Sequence, residues 1–267
     1  MALENTMQIL KAVPNRFEGI TLDPDALPLD PGVFSEQLCA SLACWADQGF
    51  KVAWLEIPIA KSHLIPLAVE AGFSFHHSGN DYLMLSYCLD PNAFIPPYAT
   101  HYIGAGGVVL NEKRELLVIW EKAHRMQNRR YYKLPGGALV PGEHLVDGVI
   151  REVYEETGIH TKFEALMCFR HWHRYRYGKS DIYFICRLSP LDHDITIQES
   201  EIEECLWMPV DTYLTHENVG VFNKHVVEIA LTGQGLVSSW FEGYDVERES
   251  REIFVAQTCK GMLHPNV

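Results

Sequence analysis

The alternation of apolar and polar residues divides the chain into two stretches with different rhythms. In the first, residues 17–22 read as a short strand followed by loop. Phe34, Leu38, Leu42 and Trp45 recur at helical spacing, which predicts a helix over 34–48 ended by Gly49. Residues 52–57 read as a buried strand, and 60–71 as a second helix closed by Gly72. Residues 73–77 and 82–89 read as strands either side of the turn signal Ser78-Gly79-Asn80-Asp81. The order β-α-β-α-β-β is that of a small α/β unit. The adjacent His76 and His77 read as strand histidines with ordinary hydrogen bonds, because no further ligand lies in register with them.

The stretch 90–100 carries Pro91, Pro96 and Pro97 and reads as a linker. Domain boundaries are therefore expected at 1–95 and 96–235, with a tail over 236–267. In the second domain, 102–110 and 116–120 read as strands around a turn at 111–114. Residues 123–130 are polar and basic, with Arg125, Arg129 and Arg130. They read as a solvated loop, with the lining of a phosphate site as the alternative. Strands over 165–172 and 180–188 are joined by Arg174-Tyr175-Arg176-Tyr177-Gly178, and 205–208 is a last short strand. A helix over 222–231 places Phe222, Val226, Ile229 and Ala230 on one face. The tail includes Trp240, Phe241 and Tyr244, which suit packing back on the body.

The most informative stretch is 137–159. It fits G-x5-E-x7-R-E-U-x-E-E-x-G-U, where U is a bulky aliphatic, at every specified position: Gly137, Glu143, Arg151, Glu152, Val153, Glu155, Glu156, Gly158 and Ile159. With average residue usage a chance match is roughly one in a billion or rarer. On a helical wheel Val146, Val149, Ile150 and Val153 fill an arc of about 100°, the width of a core-facing stripe. Glu152, Glu155 and Glu156 fill the adjoining arc, with Glu156 at the border. Like charges at this spacing destabilise an isolated helix. A compensating cation is the natural reason to keep them together, and Mg2+ prefers carboxylate oxygens, waters and phosphate oxygens. A solvated acidic face is the ordinary alternative for carboxylates alone, and the glycines and Arg151 at set spacing argue against it. Leu134-Pro135-Gly136-Gly137 leaves a strand and bends sharply, which lets backbone approach a phosphate or metal closely. Gly158 stands where a helix C-cap glycine is expected.

Composition narrows the classes. The chain has 267 residues, 47% hydrophobic and 21% charged, as in an ordinary globule. Its net charge of −13 argues against broad nucleic-acid binding. Seven cysteines occur without a C-x2-C pair; most lie in apolar runs, so buried free thiols and a reducing, cytoplasmic compartment are expected. The first residues lack the basic-then-apolar layout of a signal peptide, and no apolar run is long enough to cross a membrane.

The 137–159 pattern resembles the signature of the nudix hydrolases. Flanking matches include Trp45-Ala-Asp-Gln-Gly49, Val52–Ile59, Ala71-Gly-Phe73, Asp81–Leu85, Lys179-Ser-Asp181, Gln198–Ile202 and Trp207-Met-Pro209. Together they resemble the two-domain nudix group that includes plant cytosolic ADP-ribose and NADH pyrophosphatases and the human fibroblast growth factor antisense nudix protein. The resemblance implies a nudix α/β/α sandwich preceded by a small α/β domain of acetyltransferase-like (GNAT-like) fold. No glycine-rich acetyl-CoA loop is present, which argues against acetyl transfer. It further implies Mg2+, with Mn2+ as the other candidate, held by Glu152 and Glu156 with Glu155 assisting and the Gly136 carbonyl as an added ligand. Arg151 would orient the carboxylates and Glu143 would hold the loop–helix geometry. An acidic residue outside the signature would serve as base: Glu201 is the choice, Glu199 the next, and Glu203 and Glu204 stay open. Phe169, Trp172, Tyr175 and Tyr177 are candidates to stack a base, and Arg170 or Arg174 to meet phosphate, although strand aromatics more often serve packing. The expected reaction is hydrolysis of the diphosphate bond of a nucleotide, ADP-ribose or NADH first, releasing AMP. The proline common in ADP-ribose enzymes is missing, since Arg174 and Tyr175 stand there. Coenzyme A and dinucleoside polyphosphates remain as other substrates, and a nucleotide-sensing or partner-binding module as another class. A homodimer is an assembly left open.

Overall fold

The computed structural model describes residues 8–122, 130–244 and 247–257. Of the basic stretch 123–130, read as a solvated loop with a phosphate lining as the alternative, residues 123–129 lie outside them; Arg130 is described and sits 3.5 Å from Glu204 and over the Trp120 ring. The chain divides into two compact units, Met1–Ala99 and Thr100–Val267.

The first unit is a five-stranded sheet in the order β1 (Ala12–Pro14), β2 (Gly19–Leu22), β3 (Val52–Pro58), β5 (Tyr82–Cys88), β4 (Ser74–Ser78). Helix α1 (Pro31–Asp47) crosses between the parallel strands β2 and β3. It starts earlier than its apolar spacing predicts because the Asp30 side chain accepts the Val33 amide at 2.9 Å and Pro31 suits the first turn. Its buried face is Phe34, Leu38, Leu42 and Trp45, as the spacing requires. That face packs on Ala53, Leu55 and Ile57, the alternate residues of β3. The second predicted helix splits into a 3-10 turn over Ile59–Leu64 and α2 (Ile65–Glu70). Pro66 has no amide to continue a ladder backward, and Lys61 leaves helical geometry at φ −111°. Its ammonium instead donates to the carbonyls of Pro24, Asp25 and Leu27. His76 and His77 make the ordinary contacts expected: their Nδ1 atoms lie 2.7 Å apart, and His76 Nε2 bonds the Pro96 carbonyl.

The second unit holds a six-stranded mixed sheet, β13 (Phe254–Ala256), β12 (Leu236–Ser238), β9 (Thr161–Trp172), β10 (Ser180–Pro190), β6 (His101–Val109), β8 (Gly136–Ala138). A separate pair joins β11 (Ile202–Pro209) to β7 (Glu115–Glu121). Neighbouring residues point to opposite faces of a strand, and here they feed two separate cores. Val109, Leu117 and Cys186 pack with Leu145, Val149 and Val153 of α3 (Leu145–Thr157). Val108, Leu116, Val118 and Ile185 pack on the other side with α4 (Val210–Thr215) and α5 (Val221–Thr232). The result is an α/β/α sandwich.

Two local expectations change, on α5 and at the cysteines, while the tail packs back on the body as expected. On α5 the buried residues are Val226, Val227 and Ala230, while Ile229 is 43% exposed. Val227 lies on the sheet side of that helix where Ile229 was expected. The tail contributes β12 and β13, with Leu236 paired to Leu166 of β9. The six described cysteines are free, but only Cys186 is buried; Cys39 and Cys88 are exposed. Among the described residues no helix is long and apolar enough to cross a membrane.

Candidate active site

The site is built where β8 meets α3. Strand β8 pairs antiparallel with β6, so that Gly136 faces Gly106 and Gly137 faces Ala105. Gly136 has φ +144°, and a Cβ there would lie 2.2 Å from the Ala105 carbonyl oxygen. Only glycine fits that position. A Cβ on Gly137 would lie 2.4 Å from Glu152 Oε2, so this loop and the helix carboxylate are in direct apposition. Gly104 and Gly106 on β6 make room for the Tyr183 ring, which closes over the same corner.

Helix α3 delivers the carboxylates. Its core stripe is Leu145, Val149 and Val153, with Val146 and Ile150 only partly buried. Glu156 follows Val153 by three residues and so continues the stripe inward. It is 5% exposed, and its Oε2 accepts the Gly136 amide at 2.7 Å. Burial pushes its carboxyl up to about 7; Lys133 and the Gly136 amide oppose the rise, while Glu121 and Glu152 add to it. Glu152 is raised as well, first by burial and against the pull of Arg151. Glu155 stands on the exposed side. The helix ends at Gly158 with φ +74°, the left-handed cap the sequence suggests, whose amide bonds the Tyr154 carbonyl at 2.7 Å.

Arg151 ties these parts together. Its Nε and Nη2 donate to the two oxygens of Glu143 at 2.6 and 2.9 Å, a forked pair. Its Nη1 donates to Glu152 Oε1 at 2.9 Å and to Glu155 Oε2 at 3.0 Å. Glu143 also accepts the Val140 amide at 3.0 Å, and the arginine holds its carboxyl below the usual range. One guanidinium thus fixes the loop before the helix and two carboxylates on it.

A cleft of about 580 Å³ opens against this corner. Gly136, Gly137, Ala138, Glu121 and Lys133 line the end near α3; Arg170, Asp181 and Tyr183 line the sheet; Tyr102, Tyr175 and Arg176 form one wall, and Tyr131, Phe222 and Asn223 also line it. Arg170 donates to Asp181 at 2.9 Å and has the rings of Trp172, Tyr183 and Phe222 within 5.5 Å of its guanidinium carbon. Trp172 packs on Tyr175 with centroids 5.1 Å apart but does not line the cleft. Phe169 is 63% exposed and lies on the opposite face of β9, against Phe184. Period-two alternation makes Phe169 and Arg170 exclusive: one faces the cleft, the other cannot. Arg174 and Tyr177 are hairpin residues with positive φ and do not line it; Arg176 of the same hairpin does.

None of Glu199, Glu201, Glu203 and Glu204 lines the cleft. Glu201 is exposed, with its carbonyl accepting the Lys122 amide, and Glu204 accepts the Tyr132 hydroxyl at 2.9 Å. Residues not singled out from the sequence also reach it, the charged pair Glu121 and Lys133 among them. Glu121 ends β7 on the side that carries Leu117 and Ile119, and it is ion-paired with Lys133. Lys133 is fixed by two 2.9 Å backbone bonds to Ile119. The signal for Glu121 was available: a carboxylate that finishes a buried row of a strand.

The donors here are hard oxygens, which suit Mg2+ or Mn2+. Among the described residues no three His, Cys, Asp or Glu side chains converge as a cage.

Comparison with known proteins adds to this geometry. A NUDIX domain profile matches residues 100–228, and a profile described as a nudix hydrolase domain matches residues 10–89. Nudix hydrolase 2 of Arabidopsis thaliana is 40% identical over 215 residues, covering 80% of this chain and 77% of that protein. Nucleoside diphosphate-linked moiety X motif 6 of Homo sapiens is 34% identical over 238 residues, covering 86% of this chain and 73% of that protein. Among solved structures, the MutT protein from Methanosarcina mazei Go1 superposes with a TM-score of 0.43 at 24% identity, covering 51% of this chain and 96% of that one. With the signature folded into one corner and relatives spanning both units, the chain belongs to the nudix hydrolase family.

Proposed function

We propose that this protein hydrolyses the diphosphate bond of a nucleoside diphosphate derivative, ADP-ribose or NADH, with a divalent cation. The observation that carries this reading is the apposition of Gly136–Gly137, which line the cleft, to the carboxylates behind them, the half-buried Glu152 and the buried Glu156. Glu152 and Glu156 would hold Mg2+ or Mn2+, with Glu155 and the Gly136 carbonyl as additional donors. When bound, a divalent cation neutralises diphosphate charge and supplies Lewis acidity. Arg151 orients Glu152 and keeps Glu155 at hand. Tyr183 covers the corner and limits water around the carboxylates. Water adds to one phosphorus, and the bridging oxygen leaves with the other. ADP-ribose yields AMP and ribose 5-phosphate, and NADH yields AMP and reduced nicotinamide mononucleotide. A cleft carboxylate takes the proton; Glu121 lines the cleft, and Glu201 remains the candidate outside it. Arg170 meets a phosphate or ribose oxygen, and Tyr175 with Tyr102 offers a stacking wall for a ring.

The test is a panel of ADP-ribose, NADH, coenzyme A and diadenosine polyphosphates with Mg2+ or Mn2+. Turnover of ADP-ribose or NADH is expected; turnover of none removes the catalytic reading. Thermal stabilisation by ADP-ribose without turnover would instead favour a nucleotide-sensing module. Two variants probe the parts. Tyr175→Ala is expected to raise KM by about 5- to 100-fold, the range for losing one stacked ring, with kcat little changed. An unchanged KM places the ring elsewhere. Arg151→Lys keeps the charge but loses the fork to Glu143. A drop in kcat/KM of about 10- to 100-fold is expected, by analogy with residues that orient metal ligands. Activity within twofold of wild type would count against the orienting role.

A further inference from the structure

Helix α3 lacks the cap its own sequence should supply. Its N-cap residue is His144, in extended geometry at φ −71° and ψ 149°, with no side-chain cap bond. The first two amides of the helix are instead taken by a residue more than a hundred positions later. Leu145 N donates to Glu252 Oε2 at 2.5 Å, and Val146 N donates to Glu252 Oε1 at 3.2 Å. His144 Nδ1 lies 3.7 Å from the same carboxylate. A carboxylate at this end also suits the positive end of the helix dipole.

Glu252 is held for this purpose on both sides. Arg251 before it donates to the Tyr244 hydroxyl at 2.9 Å. After it, the Ile253 carbonyl accepts the Ser239 amide, and Phe254 begins β13 with its ring 5.8 Å from Phe163 of β9. This segment lies beyond residue 228, where the NUDIX profile ends. The cap adjoins the carboxylate machinery directly. Glu143, which immediately precedes His144, forms the fork with Arg151, and Arg151 holds Glu152.

We infer that the segments 236–244 and 247–256 brace the signature helix, and that Glu252 is the positioning residue. The cap stops the first turn of α3 from fraying, and a first turn that stays formed keeps Glu143, Arg151 and Glu152 in register. The metal arm of the test rests on the function proposed above; the structural arm does not.

The experiment uses the full chain as wild type, Glu252→Ala and Glu252→Gln. Amide hydrogen exchange at residues 145–147 is expected to rise by about 2- to 30-fold in Glu252→Ala, the range for a lost cap. The rise is smaller in Glu252→Gln, which keeps one acceptor. Exchange in β6 and β10 stays at wild-type rates. Mn2+ binding, titrated by calorimetry, weakens by about 10-fold or more in Glu252→Ala and recovers in part in Glu252→Gln, while nucleotide KM holds. Unchanged exchange at 145–147 overturns the brace. Exchange that rises equally across the whole unit, with Mn2+ affinity unchanged, also overturns it by reducing Glu252 to general stability. If wild type binds no Mn2+, the proposed function fails, and the exchange data still decide the brace.

Discussion

Glu156→Gln is expected to lower kcat/KM by on the order of 1000-fold and, in the absence of metal, to make the protein more resistant to heat above neutral pH. The two effects have one cause. The proposed reaction needs a charged carboxylate in a place where the fold disfavours charge. In the folded protein burial raises the Glu156 carboxyl from 4.5 to about 7. Below about pH 4.5 the group is protonated in both folded and unfolded chains and imposes no penalty. Between 4.5 and about 7 the unfolded chain releases its proton first, so folding stability falls as pH rises. Above 7 the full penalty applies, on the order of 3 kcal/mol. A glutamine keeps an acceptor for the Gly136 amide and carries no charge, so it escapes this loss. Melting curves with chelator should therefore diverge between pH 5 and pH 8, with the variant higher at pH 8. Added Mn2+ should raise the wild type and leave the variant nearly unmoved. Equal melting temperatures at pH 8, or a variant with wild-type turnover, would refute this account of Glu156.

Gly136→Ala and Gly137→Ala should fail in different ways, although the residues are adjacent. At Gly136 a methyl would meet the Ala105 carbonyl at 2.2 Å and the Gly106 Cα at 2.6 Å, both backbone atoms of β6. The backbone there also sits at φ +144°, where alanine is strained. Overpacking and strain together predict a loss of about 3 kcal/mol or more, read as a large fall in melting temperature. At Gly137 the obstacle is the far end of a side chain, Glu152 Oε2 at 2.4 Å and its Cδ at 2.6 Å. That carboxylate can swing aside at little cost to the fold, but it then leaves the corner proposed to hold the metal. Misplacement of about 1 Å can cost roughly 100-fold in rate. Gly137→Ala should therefore melt near wild type while losing about two orders of magnitude in kcat/KM. If instead both variants lose stability equally, or Gly137→Ala stays active, the close packing of loop and carboxylate is not what makes the site work.

Several parts of the molecule were legible because they depend on neighbours in sequence. The face of α1, the glycine cap of α3 and the alternation of β6, β7 and β10 follow from local spacing. Others were not. The predicted second helix contains Pro66, a local warning that its apolar spacing concealed. The α5 face differs from its wheel because the sheet, rather than the densest apolar arc, sets which side is buried. The cysteines in apolar runs are partly exposed because a strand or helix in such a run still has an outer face, as at Cys88 in β5 and Cys39 in α1.

The same division runs through the site. Local sequence was enough to establish the spacing of Glu152, Glu155, Glu156 and Arg151, since a helix converts spacing into direction. It also marked the glycines, since a positive φ or a missing Cβ is written in residue type. Tertiary structure decided which carboxylate is buried, because Glu156 becomes special only when Gly136 and Tyr183 close over it. It placed Arg170 toward the cleft and Phe169 away from it, a choice made by which face of β9 meets α5 and the Tyr183 ring. It brought Glu121 and Lys133 to the cleft, and it carried Glu252 across more than a hundred residues to cap the helix. Direction along one element is a local property of the chain, whereas burial, charge coupling and capping by distant groups exist only once the elements have packed.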